Sequence, residues 1–336
     1  MPFKIYQRDQ RSAVEAFEPN ERVNDPKLYR CPEALETAVN VALHTGLPLL
    51  LTGEPGTGKT QLAYHLAHQL HLGDPLVYHV RTTATATDLF YRYDSLRHFH
   101  HVQNRGEALD DREIERRFVR YNALGEAIVL AQAEEAVDEA LFKDLFPHVD
   151  YRGPRRSLVL IDEIDKAPRD LPNDILAAIE NLEFEVPEIN RIGKNRIRCN
   201  QAFRPIIIMT SNSEKNLPDA FLRRCVYYHI KFPEPEALVE IIQPKVSDKF
   251  SEAELRTIAE HFHRLRKISK QKKPATAELI YWVLMLEKLD FPVEKLREDA
   301  ELDEQEKALL LNSYTVLIKN EADLNAVRQH LKSRTN

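Results

Sequence analysis

Cysteine is scarce in this chain. Cys31, Cys199 and Cys225 are the only three in 336 residues, scattered and without a partner motif. That excludes a disulfide framework and reads as reduced thiols in a cytoplasmic protein. Cys225 follows Arg223-Arg224. Its thiol is either activated by those cations or a plain half-buried side chain, and the second is expected. Long apolar runs are also missing: none reaches the roughly 18 residues of a membrane helix. The first residues, Met1–Asp9, lack the apolar core of a signal peptide. No membrane role is expected. Strong charge of one sign is absent too. The net charge is −6 with histidine neutral, too mild to announce a polyelectrolyte partner. Hydrophobic residues make up 43%, enough for a sizeable core in one large or two ordinary domains.

What glycine there is concentrates. The chain has nine, and Gly53, Gly56 and Gly58 fall within six residues. They belong to Gly53-Glu54-Pro55-Gly56-Thr57-Gly58-Lys59-Thr60, behind the mostly apolar run 47–51. This is the G-x-x-x-x-G-K-[ST] spacing that cradles phosphate. Glycine permits positive φ and close approach of the backbone to an anion. The loop N–H groups and the start of a following helix make an anion nest. Lys59 is placed to reach the β- and γ-phosphates of a nucleotide, and Thr60 Oγ to ligate Mg²⁺. A chance glycine-rich turn would not explain the context. After the loop, Leu62, Leu66 and Leu70 recur at helical spacing.

Leu158-Val-Leu-Ile-Asp162-Glu163 follows about a hundred residues later as a second buried-strand pattern ending in carboxylates. Asp162 can hold Mg²⁺ through water, and Glu163 can polarise a water for attack on the γ-phosphate. Alone, such a pair could merely cap a turn; after a phosphate loop it argues for hydrolysis. Residues 205–212 form another buried strand ending at Asn212. Its amide either orients the attacking water or caps the following turn. Arg223 and Arg224 close Leu217-Pro-Asp-Ala-Phe-Leu-Arg-Arg-Cys225. Phe221 and Leu222 would anchor a short helix with the guanidinium groups outward. One arginine then stabilises transition-state charge in a neighbouring subunit, or both make surface ion pairs.

Strands alternating with helices before residue 232 indicate a mainly parallel α/β sheet. Phe232-Pro-Glu-Pro235 is the candidate linker. Beyond it, stripes at 3.6 spacing near 236–243, 252–268, 276–289, 303–318 and 321–332 indicate a small helical bundle. The expected domains are 1–232 and 233–336. Residues 81–122 read as an excursion between two strands, and 123–141 returns to helical spacing. Residues 184–203 read as a β-hairpin with a flexible tip.

Together these stretches resemble the AAA+ ATPases, and within them the MoxR family. GEPGTGKT (53–60), LVLIDEID (158–165), IIIMTSN (206–212) and LPDAFLRRC (217–225) look like Walker A, Walker B, sensor 1 and the arginine-finger segment, in family order. The resemblance spans about residues 30–335. It implies a P-loop NTPase core with a C-terminal all-α lid, and ATP and Mg²⁺ as cofactors. It implies Lys59 and Thr60 on phosphate and Mg²⁺, Asp162 on Mg²⁺, Glu163 as base, Asn212 as sensor, and Arg223 or Arg224 as finger. It further implies that 81–122 holds the helix-2 insert and 184–204 the hairpin before sensor 1, both lining the pore of a six-membered ring. Such proteins act as chaperone-like remodellers, often with a partner bearing a von Willebrand factor A-type domain. One departure stands out. The lid helix usually opens with an arginine, sensor 2, whereas here Ala277 or a neighbour occupies that position, with Lys272 and Lys273 nearby.

Other signals are weaker. His65, His68 and His71 lack acidic or cysteine companions, as do His98, His100 and His101, so helix faces are expected rather than metal sites. Arg191, Lys194, Arg196 and Arg198 form a basic hairpin tip. It serves as a nucleic-acid contact or, as the overall acidity favours, a solvated loop or a grip on an acidic protein segment. Three functions compete: a ring that remodels protein clients, a nucleic-acid-directed motor or loader, and a nucleotide-gated scaffold with little turnover.

Overall fold

A computed structural model describes residues 20–105, 109–132, 139–147, 153–169, 171–189, 196–212 and 217–333. They divide into two compact units. One combines Cys31–Glu54 with Lys59–Ile230; the other combines residues 20–30, Pro55–Gly58 and 231–333.

The first unit is α/β. Its strands are β1 (Leu49–Gly53), β2 (Leu76–His79), β3 (Tyr91–Tyr93), β4 (Val119–Tyr121), β5 (Leu158–Asp162), β6 (Glu183–Glu185), β7 (Arg196–Arg198), β8 (Ile206–Ser211) and β9 (Val226–Ile230). Its helices are α1 (Glu33–Thr45), α2 (Lys59–Gln69), α3 (Ser95–Arg105), α4 (Asp111–Phe118), α5 (Ala123–Leu130), α6 (Glu139–Leu145), α7 (Leu171–Asn181) and α8 (Asp219–Leu222). Among the described residues, five strands form one sheet in the order β2-β5-β8-β1-β9. Every neighbouring pair is parallel. β1 and β5 are buried along their whole length, and β8 in all but its first residue. A strand covered on both faces reads as a continuous apolar run, which is why these three stand out in the sequence. β9 lies at an edge and carries Tyr227, Tyr228 and His229, half-buried or exposed. It has no such run, and the sequence reading does not recognise it.

The register brings the carboxyl ends of the strands level. Thr52 pairs with Ser211, Ile161 with Met209, and His79 with Asp162. In an open parallel sheet this edge is where ligands bind. α1 ends at Gly46, whose left-handed φ of 68° lets its N–H close on Ala42 O. α2 differs from its expected stripe. Leu62, Ala63 and Ala67 are buried, whereas Leu70 lies past the helix and is 39% exposed. Two alanines on the buried face let α2 pack closely on the sheet, and the leucine spacing alone conceals them.

Between β2 and β5 the chain makes its excursion. β3 and β4 pair antiparallel, with α3 and α4 between them in sequence. α3 packs through imidazoles: His98 stacks on Phe118 at 4.6 Å, with His101 at 5.9 Å. Its Leu96, Phe99 and Val102 are exposed. The helical spacing over 123–141 resolves into α5 and the start of α6, with 133–138 outside the described residues. β6 and β7 form the expected hairpin; its tip, including Arg191 and Lys194, lies outside the described residues. Arg196 and Arg198 pair with Glu185 and Glu183 at 3.0 and 2.9 Å.

The second unit is helical, with α9 (Pro235–Ile242), α10 (Glu252–Ile268), α11 (Thr276–Leu289), α12 (Glu304–Ser313) and α13 (Glu321–Ser333). The stripe expected over 303–318 stops as α12 at Ser313 and continues as a 3₁₀ turn, Tyr314–Val316. Phe262, Trp282 and Tyr314 fill the core. Buried His261 bridges Leu296 O and the Tyr314 hydroxyl, at 2.8 and 2.6 Å. The sequence assigns the N-terminal arm to the first domain, but its described part, 20–30, groups with the helices. Val23 joins their core, and Lys245 Nζ donates to Val23 O at 2.7 Å. A buried ammonium needs such a partner.

Candidate functional site

Each predicted residue of the α/β unit at this edge is set by the end of a strand. Gly53 ends β1, Asp162 ends β5, and Asn212 follows β8. Lys59 and Thr60 open α2. The loop between has the backbone that its glycines permit, with φ of 74° at Gly56 and 88° at Gly58. Neither could be replaced freely. A Cβ on Gly56 would lie 2.4 Å from Ala275 Cβ, and one on Gly58 3.2 Å from the Tyr29 ring. Glu54, Pro55 and Gly56 are exposed, whereas Thr57 is buried.

Lys59 is 6% exposed, and its Nζ donates to the carbonyls of Gly53 and Glu54, both at 2.9 Å. Burial pushes its ammonium below the ordinary lysine range, while Asp165, Asp162, Glu163 and Glu54 act the other way. Thr60 Oγ1 donates to Asp162 Oδ1 at 3.2 Å across 102 positions of sequence. Thr210 Oγ1 donates to the same oxygen at 2.6 Å. His79 Nδ1 lies 3.2 Å from Asp162 Oδ2.

Glu163 has a left-handed backbone, φ 59° and ψ 50°. A non-glycine residue pays for this conformation, and surrounding contacts must hold it there. The Glu163 N–H donates to Thr210 Oγ1 at 2.9 Å. Its carboxylate is engaged at both oxygens, by Asn212 Nδ2 at 3.4 Å on Oε1 and Lys166 Nζ at 2.5 Å on Oε2. The Asn212 N–H donates to buried Asp165 at 3.1 Å. The Asn212 amide therefore faces the Glu163 carboxylate; the turn that it could instead cap, 213–216, lies outside the described residues.

The fold thus brings together Lys59, Thr60, Asp162, Glu163 and Asn212. Thr60 Oγ1 and the Asp162 carboxylate are hard oxygen donors that suit Mg²⁺, an ion that keeps several waters and few protein ligands. The positive-φ glycines and the opening of α2 suit a phosphate chain. Sequence reasoning missed His79, Asp165, Lys166 and Thr210. His79 and Thr210 enter through cross-strand neighbours, which local sequence does not reveal. Asp165 and Lys166 stood next to the recognised carboxylates, and Lys166 is three residues from Glu163.

Arg223 and Arg224 follow α8, anchored by fully buried Phe221, and both are exposed. Arg224 Nε lies 3.5 Å from Glu180 Oε1 on α7. Cys225 is the half-buried thiol expected: burial pushes it up to about 12, and its Sγ donates to Phe221 O at 3.3 Å. His65 is half-buried, and His68 and His71 are exposed. Among the described residues, no group of three His, Cys, Asp or Glu side chains is arranged to hold a metal ion. None of the described helices is long and apolar enough to cross a membrane. Ala277 lies exposed in the first turn of α11, and the Lys272 N–H donates to Asp323 at 2.9 Å.

A family model described as "AAA domain (dynein-related subfamily)" matches residues 48–225. A search of curated proteins found no match. Among solved structures, "Crystal structure of FIGL-1 AAA domain in complex with ADP" is similar at 14% identity and a TM-score of 0.39, over 90% of this chain and 88% of that one.

Proposed function

The chain belongs to the AAA domain family, dynein-related subfamily, and from that premise we propose that it binds ATP on residues 53–60 and hydrolyses it. The observation that carries the proposal is the 3.2 Å contact between Thr60 Oγ1 and Asp162 Oδ1, which joins the phosphate loop to the acidic strand end. Lys59 holds the β- and γ-phosphates, and Thr60 and Asp162 hold Mg²⁺. When bound, the ion neutralises charge between the phosphates. Glu163 takes the proton of the attacking water as general base. Asn212 orients that carboxylate and senses the γ-phosphate. Arg223 or Arg224 serves the site of a neighbouring subunit.

Members of this family are generally ATPases that assemble into rings, and a six-membered ring is proposed here. The MoxR-like order of the four motifs supports a finer reading: a cytoplasmic, chaperone-like remodeller of protein clients, acting with a von Willebrand A-type partner. In that reading 81–122 is the helix-2 insert and 184–204 the hairpin before sensor 1. The α/β unit is the core, and the helical unit, which takes in 20–30, is the lid. The ion pairs of Arg196 and Arg198 with Glu185 and Glu183 leave less free cation for nucleic acid and favour a protein client. Binding of a fluorescent ATP analogue tests the foundation. Lys59→Ala is expected to abolish it, and unchanged affinity would overturn the assignment of the loop.

A further inference from the structure

The Glu163 carboxylate is held by a cation that the phosphate loop does not supply. Lys166 Nζ lies 2.5 Å from Oε2, while the Asn212 amide reaches Oε1 only at 3.4 Å. The backbone fixes where this contact forms. Glu163 sits at the left-handed position before a 3₁₀ turn, Ile164–Lys166, and the Lys166 N–H closes that turn on Glu163 O at 3.0 Å. Ile164 is fully buried, so the turn is anchored. The lysine is thereby delivered back onto the side chain three residues before it. The Lys166 side chain is 43% exposed and that of Glu163 33%. The contact is not locked in the core, and the ammonium can swing into water along a flexible stem.

Resting on the hydrolytic reading of this site, we propose that Lys166 is a positioning residue that holds Glu163 in a restrained state and must let go for each turnover. In hydrolysis the water oxygen bonds to the γ-phosphorus. The bond from that phosphorus to the β,γ-bridging oxygen breaks, with its electron pair leaving on ADP. The water proton passes to the Glu163 carboxylate. While Lys166 occupies Oε2, a water has to compete with an ammonium for that oxygen. Asn212 alone then orients the carboxylate once Lys166 leaves. Lys59 has a separate task, because its Nζ is directed to the loop carbonyls of Gly53 and Glu54.

The test is Lys166→Met in the full-length protein, which keeps the length of the stem and removes the charge. Basal kcat is expected to rise about threefold, the scale of a partly exposed ion pair. KM and the affinity for a fluorescent ATP analogue should not move. Lys166→Arg, which keeps a cation, should give a smaller rise. Lys166→Gln, a second neutral variant, should match Lys166→Met if that variant folds poorly. A kcat that is unchanged or reduced in the folded neutral variants would overturn the restraint. Glu163→Gln and the double variant Glu163→Gln/Lys166→Met separate the restraint from the hydrolysis itself. If Glu163→Gln abolishes turnover and the double variant stays inactive, the hydrolytic reading stands whatever Lys166 does. If Glu163→Gln turns over normally, that reading fails and the restraint fails with it.

Discussion

Thr210 Oγ1 donates to Asp162 Oδ1 at 2.6 Å and accepts the Glu163 N–H at 2.9 Å. One buried hydroxyl on β8 thus ties down both members of the carboxylate pair at the end of β5. It holds Asp162 through its side chain and Glu163 through its left-handed backbone.

Thr210→Val keeps the shape and removes both bonds. The Glu163 N–H loses its acceptor, and a buried group left unpaired costs about 1–3 kcal/mol. With its backbone released, Glu163 should lose its alignment, and kcat should fall by up to about a hundredfold, the scale of a misplaced catalytic group. Urea denaturation and steady-state hydrolysis check the two effects. An unchanged kcat in a destabilised protein would limit Thr210 to a structural role.

The assembly prediction rests on Arg223 and Arg224, exposed after an anchored short helix. If one acts on a neighbouring subunit, dilution should lower specific activity. Lys59→Ala and Arg223→Ala/Arg224→Ala should each be inactive alone. Mixed together they should regain activity, because a head-to-tail ring pairs some intact sites with intact arginines. The arginine variant should still bind nucleotide. Full activity of that variant as a dilute monomer would leave the pair as ordinary surface charge.

Asp323 ties the helical unit to pH. It is 2% exposed and accepts the N–H groups of Lys270, Gln271 and Lys272 and the amide of Asn320. Burial raises the carboxyl, but these four donors outweigh it and hold Asp323 below the usual aspartate range. A depressed folded value means that its stabilisation is complete above the unfolded value, about 3.9, and is lost as the pH falls through the folded value. Asp323→Asn should cost about 2 kcal/mol near neutral pH, the scale of hydrogen bonds to a charged group. The gap to the unmodified protein should narrow as the pH falls below the unfolded value of about 3.9. A gap independent of pH would mean that the charge is not what holds the 270–272 loop.

The legible parts of this protein are those in which one segment carries its whole signal. The phosphate loop, the apolar strands that end at Asp162 and just before Asn212, and the helices beyond Pro235 all announce themselves locally. Burial on both faces of a parallel sheet makes β5 and β8 unmistakable. β9 was not legible, because an edge strand with Tyr227 and His229 exposed shows no such run. Thr210 and His79 were not legible either, because only the register of β8 and β2 against β5 brings them to Asp162. The packing face of α3 inverts the usual expectation, with imidazoles inward and Leu96, Phe99 and Val102 exposed. The pairing of Lys166 with Glu163 follows from a 3₁₀ turn after a left-handed residue, and no sequence pattern signalled that turn.

Glu163, directly after β5, is the residue on which the proposed hydrolysis depends. Single-turnover hydrolysis of ATP by Glu163→Gln, with affinity for a fluorescent analogue measured in parallel, tests it most directly. Glu163→Gln should keep intact binding and lose hydrolysis by about a hundredfold, the scale of a missing general base. Hydrolysis by Glu163→Gln at the unmodified rate would contradict it.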